Sequence, residues 1–277
     1  MLRSLQELQN YTIGATDGDI GHVADLYFDD RAWVVRYLVV QTGSWLTDRK
    51  VLISPFSVGE PDWPGKRLPV RISCEQVKNS PDIDTDQPVS RQHETQYSDY
   101  YGYPYYWAGD GLWGDGNYFP AMASPRLAGS ARSRAVDAEV AAVYARAEAS
   151  RLEAADPHLR SCRSVVGHQI HASDAELGRV QGMLVDEQTW AIRYLVVDTG
   201  TWWAGHQVLI APQWITDISW EDSSVSVNLT QQAIQDSPRF DSSEALNRQH
   251  EADLYRYYGR PTYWEREHNR ELIDDRS

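Results

Sequence analysis

The feature that most constrains this chain is an internal repeat. Slid against itself by 157 residues, the sequence aligns residues 2–107 with 159–264 without a gap. The densest stretch sets Asp17–Pro55 over Asp174–Pro212, with 17 of 39 positions identical. The match thins and then returns as Arg91-Gln92-His93-Glu94 over Arg248-Gln249-His250-Glu251 and as Tyr100-Tyr101-Gly102 over Tyr257-Tyr258-Gly259. Each copy ends in Tyr-Trp, at 106–107 and 263–264. Such agreement implies a module present twice: module A at 1–107, a connector at 108–158, module B at 159–264 and a charged tail at 265–277. Residues 108–133 of the connector are rich in Gly, Pro and Ser and read as loop. Val136, Val140, Val143 and Ala147 put a narrow apolar stripe on an amphipathic helix over about 134–155, which would dock one module on the other or pair between chains.

Within a module the pattern is that of short strands. Gly18 and Gly21 break any helix over 17–28, and Asp29-Asp30-Arg31 is a polar turn. Trp33 to Val40 is dense in β-branched and aromatic residues and ends at Thr42-Gly43, which predicts a central strand. Its two alternating faces, Trp33, Val35, Tyr37, Val39 and Val34, Arg36, Leu38, Val40, are both largely apolar, so the strand should be buried on both sides. Val51–Ile53 and Leu68–Ile72 read as further strands, with helical turns near 74–80 and 90–100; module B repeats these at Trp190–Val197, Val208–Ile210 and Val225–Leu229. The expected fold class is mainly β with some α: two small β-barrel modules related by duplication and joined by a loop plus a helix.

The residues Asp17-Gly18, Ile20-Gly21, Val23, Asp25, Trp33, Arg36-Tyr37-Leu38-Val39-Val40, Thr42-Gly43, Val51-Leu52-Ile53 and Pro55 resemble the signature of the PRC-barrel family. That barrel is shared by the cytoplasmic part of the photosynthetic reaction-centre H subunit and the C-terminal half of a ribosome-maturation factor. The second copy carries the same string with Ala175 for Gly18 and Gly182 for Asp25. The resemblance covers roughly 80 residues of each module and implies a structural and protein-interaction barrel without common catalytic chemistry.

Charge narrows the partners. The formal net charge of −14 gives no basic face for phosphates, so neither nucleic acid nor an anionic membrane is an expected partner. No apolar run is long enough to span a membrane. Cys74 and Cys162 lack disulfide or zinc spacing, and the first residues lack a secretory h-region, so a cytoplasmic location is expected.

The search for chemistry yields no catalytic constellation, metal set or cofactor motif. His93-Glu94 and His250-Glu251 lack the second histidine of a zinc helix, so Arg91/Glu94 and Arg248/Glu251 are read as i,i+3 pairs on helices. Arg36 and Arg193 interrupt apolar strand faces and must be paired if buried; Asp17, Asp29, Asp174 and Asp186 are the candidate partners at a barrel mouth, where an anion site is the other reading. Eleven Trp, 16 Tyr and 4 Phe make aromatic rings the most unusual feature. Candidate interaction rings are Trp45, Tyr100, Tyr101, Tyr106 and Trp107, with Trp202, Trp203, Tyr257, Tyr258, Tyr263 and Trp264. The alternative is that they pack internally. The function expected is a non-enzymatic adaptor that binds a protein or itself. A second expectation is a soluble accessory, peripherally attached, of a membrane-associated photosynthetic or electron-transfer assembly; a third is a binder of small anions.

Overall fold

The computed structural model describes residues 1–81, 89–108, 111–114, 158–200, 206–242 and 246–267; the expected connector helix, Trp202, Trp203 and the tail after Glu267 lie outside the described residues. The chain is mainly β with some helices. Its described parts form two compact units, one within Arg3–Ser164 and Val185–Ile192, the other within Met1–Leu2, Val165–Leu184 and Arg193–Ser277.

The strands in chain order are β1 (Leu2–Ser4), β2 (Thr12–Gly14), β3 (Asp19–Asp29), β4 (Val34–Thr42), β5 (Lys50–Ile53), β6 (Arg67–Pro69) and β7 (Leu159–Ser161). In the first unit the sheet order is β5-β4-β3-β2-β6, with β7 beside β3. The long β3 gives one edge to β4 and shares the other between β2, which pairs near Gly21, and β7, which pairs at Tyr27–Asp29. The β2–β6 pairing is parallel and the others are antiparallel. Among the described residues this sheet stays open where a closed barrel is expected. Pro55 carries the chain after β5 into a 3-10 turn, and the segment that follows meets the β6 region only through isolated antiparallel bridges, Val58 with Val70 and Asp62 with Arg67.

The strand β4 is buried on both faces. One face is covered by a helix, Arg91–Tyr101: Tyr37, Val39 and Leu52 pack with Val89, Tyr97 and Leu159 in one apolar cluster. The helix starts where Ser90 accepts the His93 N–H and ends at Gly102, whose φ of 69° suits the left-handed cap. Trp33, expected at the head of β4, instead closes the preceding turn at φ 56°, its N–H donating to the Asp29 carbonyl. Asp29 stabilises that turn by accepting the N–H groups of Arg31 and Ala32 on Oδ1. Burial of the indole against Phe28 offsets a conformation that a bulky residue rarely adopts. Trp190 has the same geometry, with φ 59°.

The remaining strands are β8 (Gln169–His171), β9 (Glu176–Asp186), β10 (Ile192–Asp198), β11 (Gln207–Ile210), β12 (Ile215–Ser219) and β13 (Ser224–Val227). They follow the order β11-β10-β9-β8-β13-β12, again mixed, with β8 and β13 parallel. The helix Arg248–Tyr257 takes the place that Arg91–Tyr101 has in the first unit; Asn247 caps its start. Gly178 in β9 lies at φ +61°, and a Cβ there would strike the Asp198 carbonyl of β10. Gly178→Ala is therefore expected to lower the unfolding free energy by more than the ~1 kcal/mol typical of a strained glycine. Gly259→Ala, at the same φ but facing open space, should cost less in the same urea titration.

Candidate functional site

Arg36 and Arg193 each build a buried polar centre. Arg36 is 2% exposed. Its guanidinium donates through Nη1 to the Leu112 carbonyl at 2.6 Å and through Nη2 to Asp29 Oδ2 at 3.4 Å, and lies 3.9 Å from the Tyr106 ring centroid and 4.8 Å from that of Trp113. The guanidinium is thus paired, hydrogen-bonded and ring-packed, as a buried arginine must be. Next to it in sequence, Tyr37 donates its phenol to Glu94 Oε1 at 3.3 Å. Tyr106 donates to the same oxygen, and Arg91 holds Oε2 at 2.9 Å. Arg91 also donates to the Tyr106 hydroxyl at 3.1 Å and lies 4.3 Å from the centroid of Trp107.

The residues 157 positions later repeat this arrangement. Tyr194 and Tyr263 each donate to Glu251 Oε2 at 3.0 Å. Arg248 meets Glu251 Oε1 at 3.5 Å, donates to the Tyr263 hydroxyl at 2.7 Å and lies 4.4 Å from the centroid of Trp264. Arg193 sits 4.0 Å from the Tyr263 ring centroid, and its Nη1 is bound by Glu267 at 2.5 Å. The i,i+3 pairs expected from Arg-Gln-His-Glu are present; the carboxylates point inward, onto phenols.

Electrostatics follow from burial. Glu94 is pushed up to about 7, because loss of water outweighs the Arg91 charge and the Tyr106 hydrogen bond that favour the carboxylate. Glu251 is raised by the same cause, opposed by Tyr263 and Arg248. Burial and the neighbouring Glu94 push the phenols of Tyr37 and Tyr106 well above the ordinary tyrosine value.

The expected charge pairs are only partly realised. Asp29 meets Arg36. Asp17 and Asp174 lie elsewhere: each accepts the first N–H of a short helix, from Cys74 and from Gln231, both at 2.7 Å. That hydrogen bond holds Asp17 below the usual carboxylate range. Asp186 Oδ1 accepts the Gln188 N–H at 2.9 Å. Among the expected interaction rings, Trp45 (39%), Tyr100 (41%) and Tyr257 (42%) are exposed. Even these are tethered: Trp45 donates to the Ile20 carbonyl, Tyr100 to that of Gln76 and Tyr257 to that of Ala233. Tyr106 and Tyr263 are buried, and Tyr101, Trp107, Tyr258 and Trp264 are half-buried, packing on neighbouring rings.

Sequence reasoning missed Tyr37 and Tyr194 as partners of the glutamates, although both lie in the repeated Arg-Tyr-Leu-Val-Val. It also missed Leu112 and Glu267, which carry no repeat signal. A scan against models of known protein families gives no match, and a search of curated proteins gives none either. Among the described residues, no helix is long and apolar enough to cross a membrane.

Proposed function

We propose that this chain is a non-enzymatic interaction scaffold built from two PRC-barrel-type modules. The observation that supports this reading most is what happens to its reactive side chains. Arg36, Glu94 and Arg91, like Arg193, Glu251 and Arg248, are bound by internal partners, which fixes the helix and the Tyr-Trp tail onto the sheet. Charges used this way stabilise a surface instead of acting on a substrate. The rings that contact a partner in this reading are Trp45 and Tyr100 in the first unit and, separately, Tyr257 in the second, each anchored through its polar atom so that little side-chain entropy is lost on binding. An affinity capture from native extract should retain a stoichiometric protein partner on the intact chain. A folded Trp45→Ala/Tyr100→Ala/Tyr257→Ala variant should lose it. Equal capture by both forms, or no partner on either, would overturn the proposal.

A further inference from the structure

The Tyr-Trp tail and its glutamate have the geometry of a proton-coupled redox pair. Tyr106 is 5% exposed and Tyr263 8%, so a solute does not reach either phenol directly. The adjoining indoles, Trp107 and Trp264, are half-buried and touch them edge to face, with ring centroids 4.9 and 4.8 Å apart. Each phenol donates to a buried carboxylate, Glu94 or Glu251. Each indole lies beside a guanidinium, Arg91 or Arg248.

We propose that each copy holds a redox-active tyrosine, Tyr106 or Tyr263, oxidised by one electron through its neighbouring tryptophan. The oxidant is an external radical of the azide or carbonate class. It takes one electron from Trp107 and leaves as its anion. Trp107 regains that electron from Tyr106, and the Tyr106 phenolic proton passes along the existing hydrogen bond to the ionised Glu94. The sum is oxidant radical plus phenol and carboxylate giving oxidant anion, neutral phenoxyl and carboxylic acid. The same step runs through Trp264, Tyr263 and Glu251.

Electrostatics set the direction. A guanidinium beside an indole disfavours the positive ring left by electron loss. Arg36 and Arg193 lie beside the phenol rings as well, but a phenoxyl formed with loss of its proton carries no charge to be repelled. Two further groups bear on Glu94: Tyr37 of β4 donates to the accepting oxygen, and Asp29 of β3 adds negative charge nearby. The arrangement recurs in both copies although flanking rings differ: Tyr97 corresponds to Leu254, and Ser98 to Tyr255. Packing tolerates those changes while the Trp-Tyr-Glu set is retained.

Pulse radiolysis of the full chain with azide radicals tests this. The indolyl radical absorption should convert to that of phenoxyl in a first-order phase independent of protein concentration. In a Tyr105→Phe background, which removes the other phenol stacked on Trp107 at 4.9 Å, Tyr106→Phe/Tyr263→Phe, which keeps both rings, should lose that phase, as should Trp107→Phe/Trp264→Phe; Trp45→Phe should keep it. Glu94→Gln/Glu251→Gln should slow it and remove its increase as the pH passes through about 7. An unchanged phase in either Tyr-to-Phe or Trp-to-Phe variant, or conversion that depends only on concentration, would overturn the proposal.

Discussion

Arg36→Ala is expected to lower the unfolding free energy of the first unit by about 3–5 kcal/mol, the usual cost of removing one partner of a buried charge pair. The substitution removes the guanidinium but leaves Asp29, itself buried, and the Leu112 carbonyl in place. It also opens a void between β4 and the rings of Tyr106 and Trp113. Arg36→Lys should recover only part of the loss, because an ammonium cannot reach two acceptors while lying flat beside a ring. Arg67→Ala provides the contrast. It breaks a solvent-exposed pair with Asp19 and should cost at most about 1 kcal/mol. Urea titration of the three variants measures all of this. A loss below about 1 kcal/mol for Arg36→Ala would mean that the side chain contributes little to the fold, which would favour the anion-site reading of this arginine.

Much of the architecture was legible because periodicity and the repeat report it directly. A two-sided apolar strand appears as β4, and Ser90 and Gly102 frame the helix that covers it. The helix itself explains what periodicity left open: alternation says that both faces of a strand are buried, but not whether a sheet or a helix buries them. For Tyr37 and Val39 it is the helix. Trp33 shows a second limit. Its β-propensity favours a strand, yet the turn that Asp29 organises claims it in a left-handed conformation. The charged centres were half legible. Arg36 in an apolar run demands a partner, and Asp29 lies seven residues away across the hairpin turn. Asp17 shares the repeat but is drawn to a helix start, where the Cys74 peptide N–H attracts a carboxylate that stays exposed to solvent. The glutamate of Arg-Gln-His-Glu looked like half of a surface ion pair. Only the tertiary fold shows that it faces inward onto two phenols.

That inward glutamate makes stability depend on pH in an unusual direction. Most native carboxylates titrate low, so proteins lose stability as the pH falls. Glu94 is raised in the folded chain, to about 7, from an ordinary value near 4.5. The folded state therefore binds the proton more tightly than the unfolded chain. Its stabilising effect is fully present below about 4.5 and is lost as the pH rises through about 7. The shift corresponds to a difference on the order of 3 kcal/mol across that window, with the raised Glu251 adding in the same direction. Asp17 and Asp19 run the opposite way, being lowered, and they matter only in the acid range. Self-repulsion in a chain of formal charge −14 also weakens the fold as carboxylates ionise, so the wild-type slope alone does not identify Glu94. Glu94→Gln does. It keeps the shape and an oxygen that can accept from Tyr37 and Tyr106, and it cannot ionise. Unfolding free energies measured between pH 4.5 and 8 should converge at the acid end and separate above it, with the Gln variant the more stable near neutrality. Parallel curves for the two proteins would show that Glu94 is not the group whose proton the fold retains.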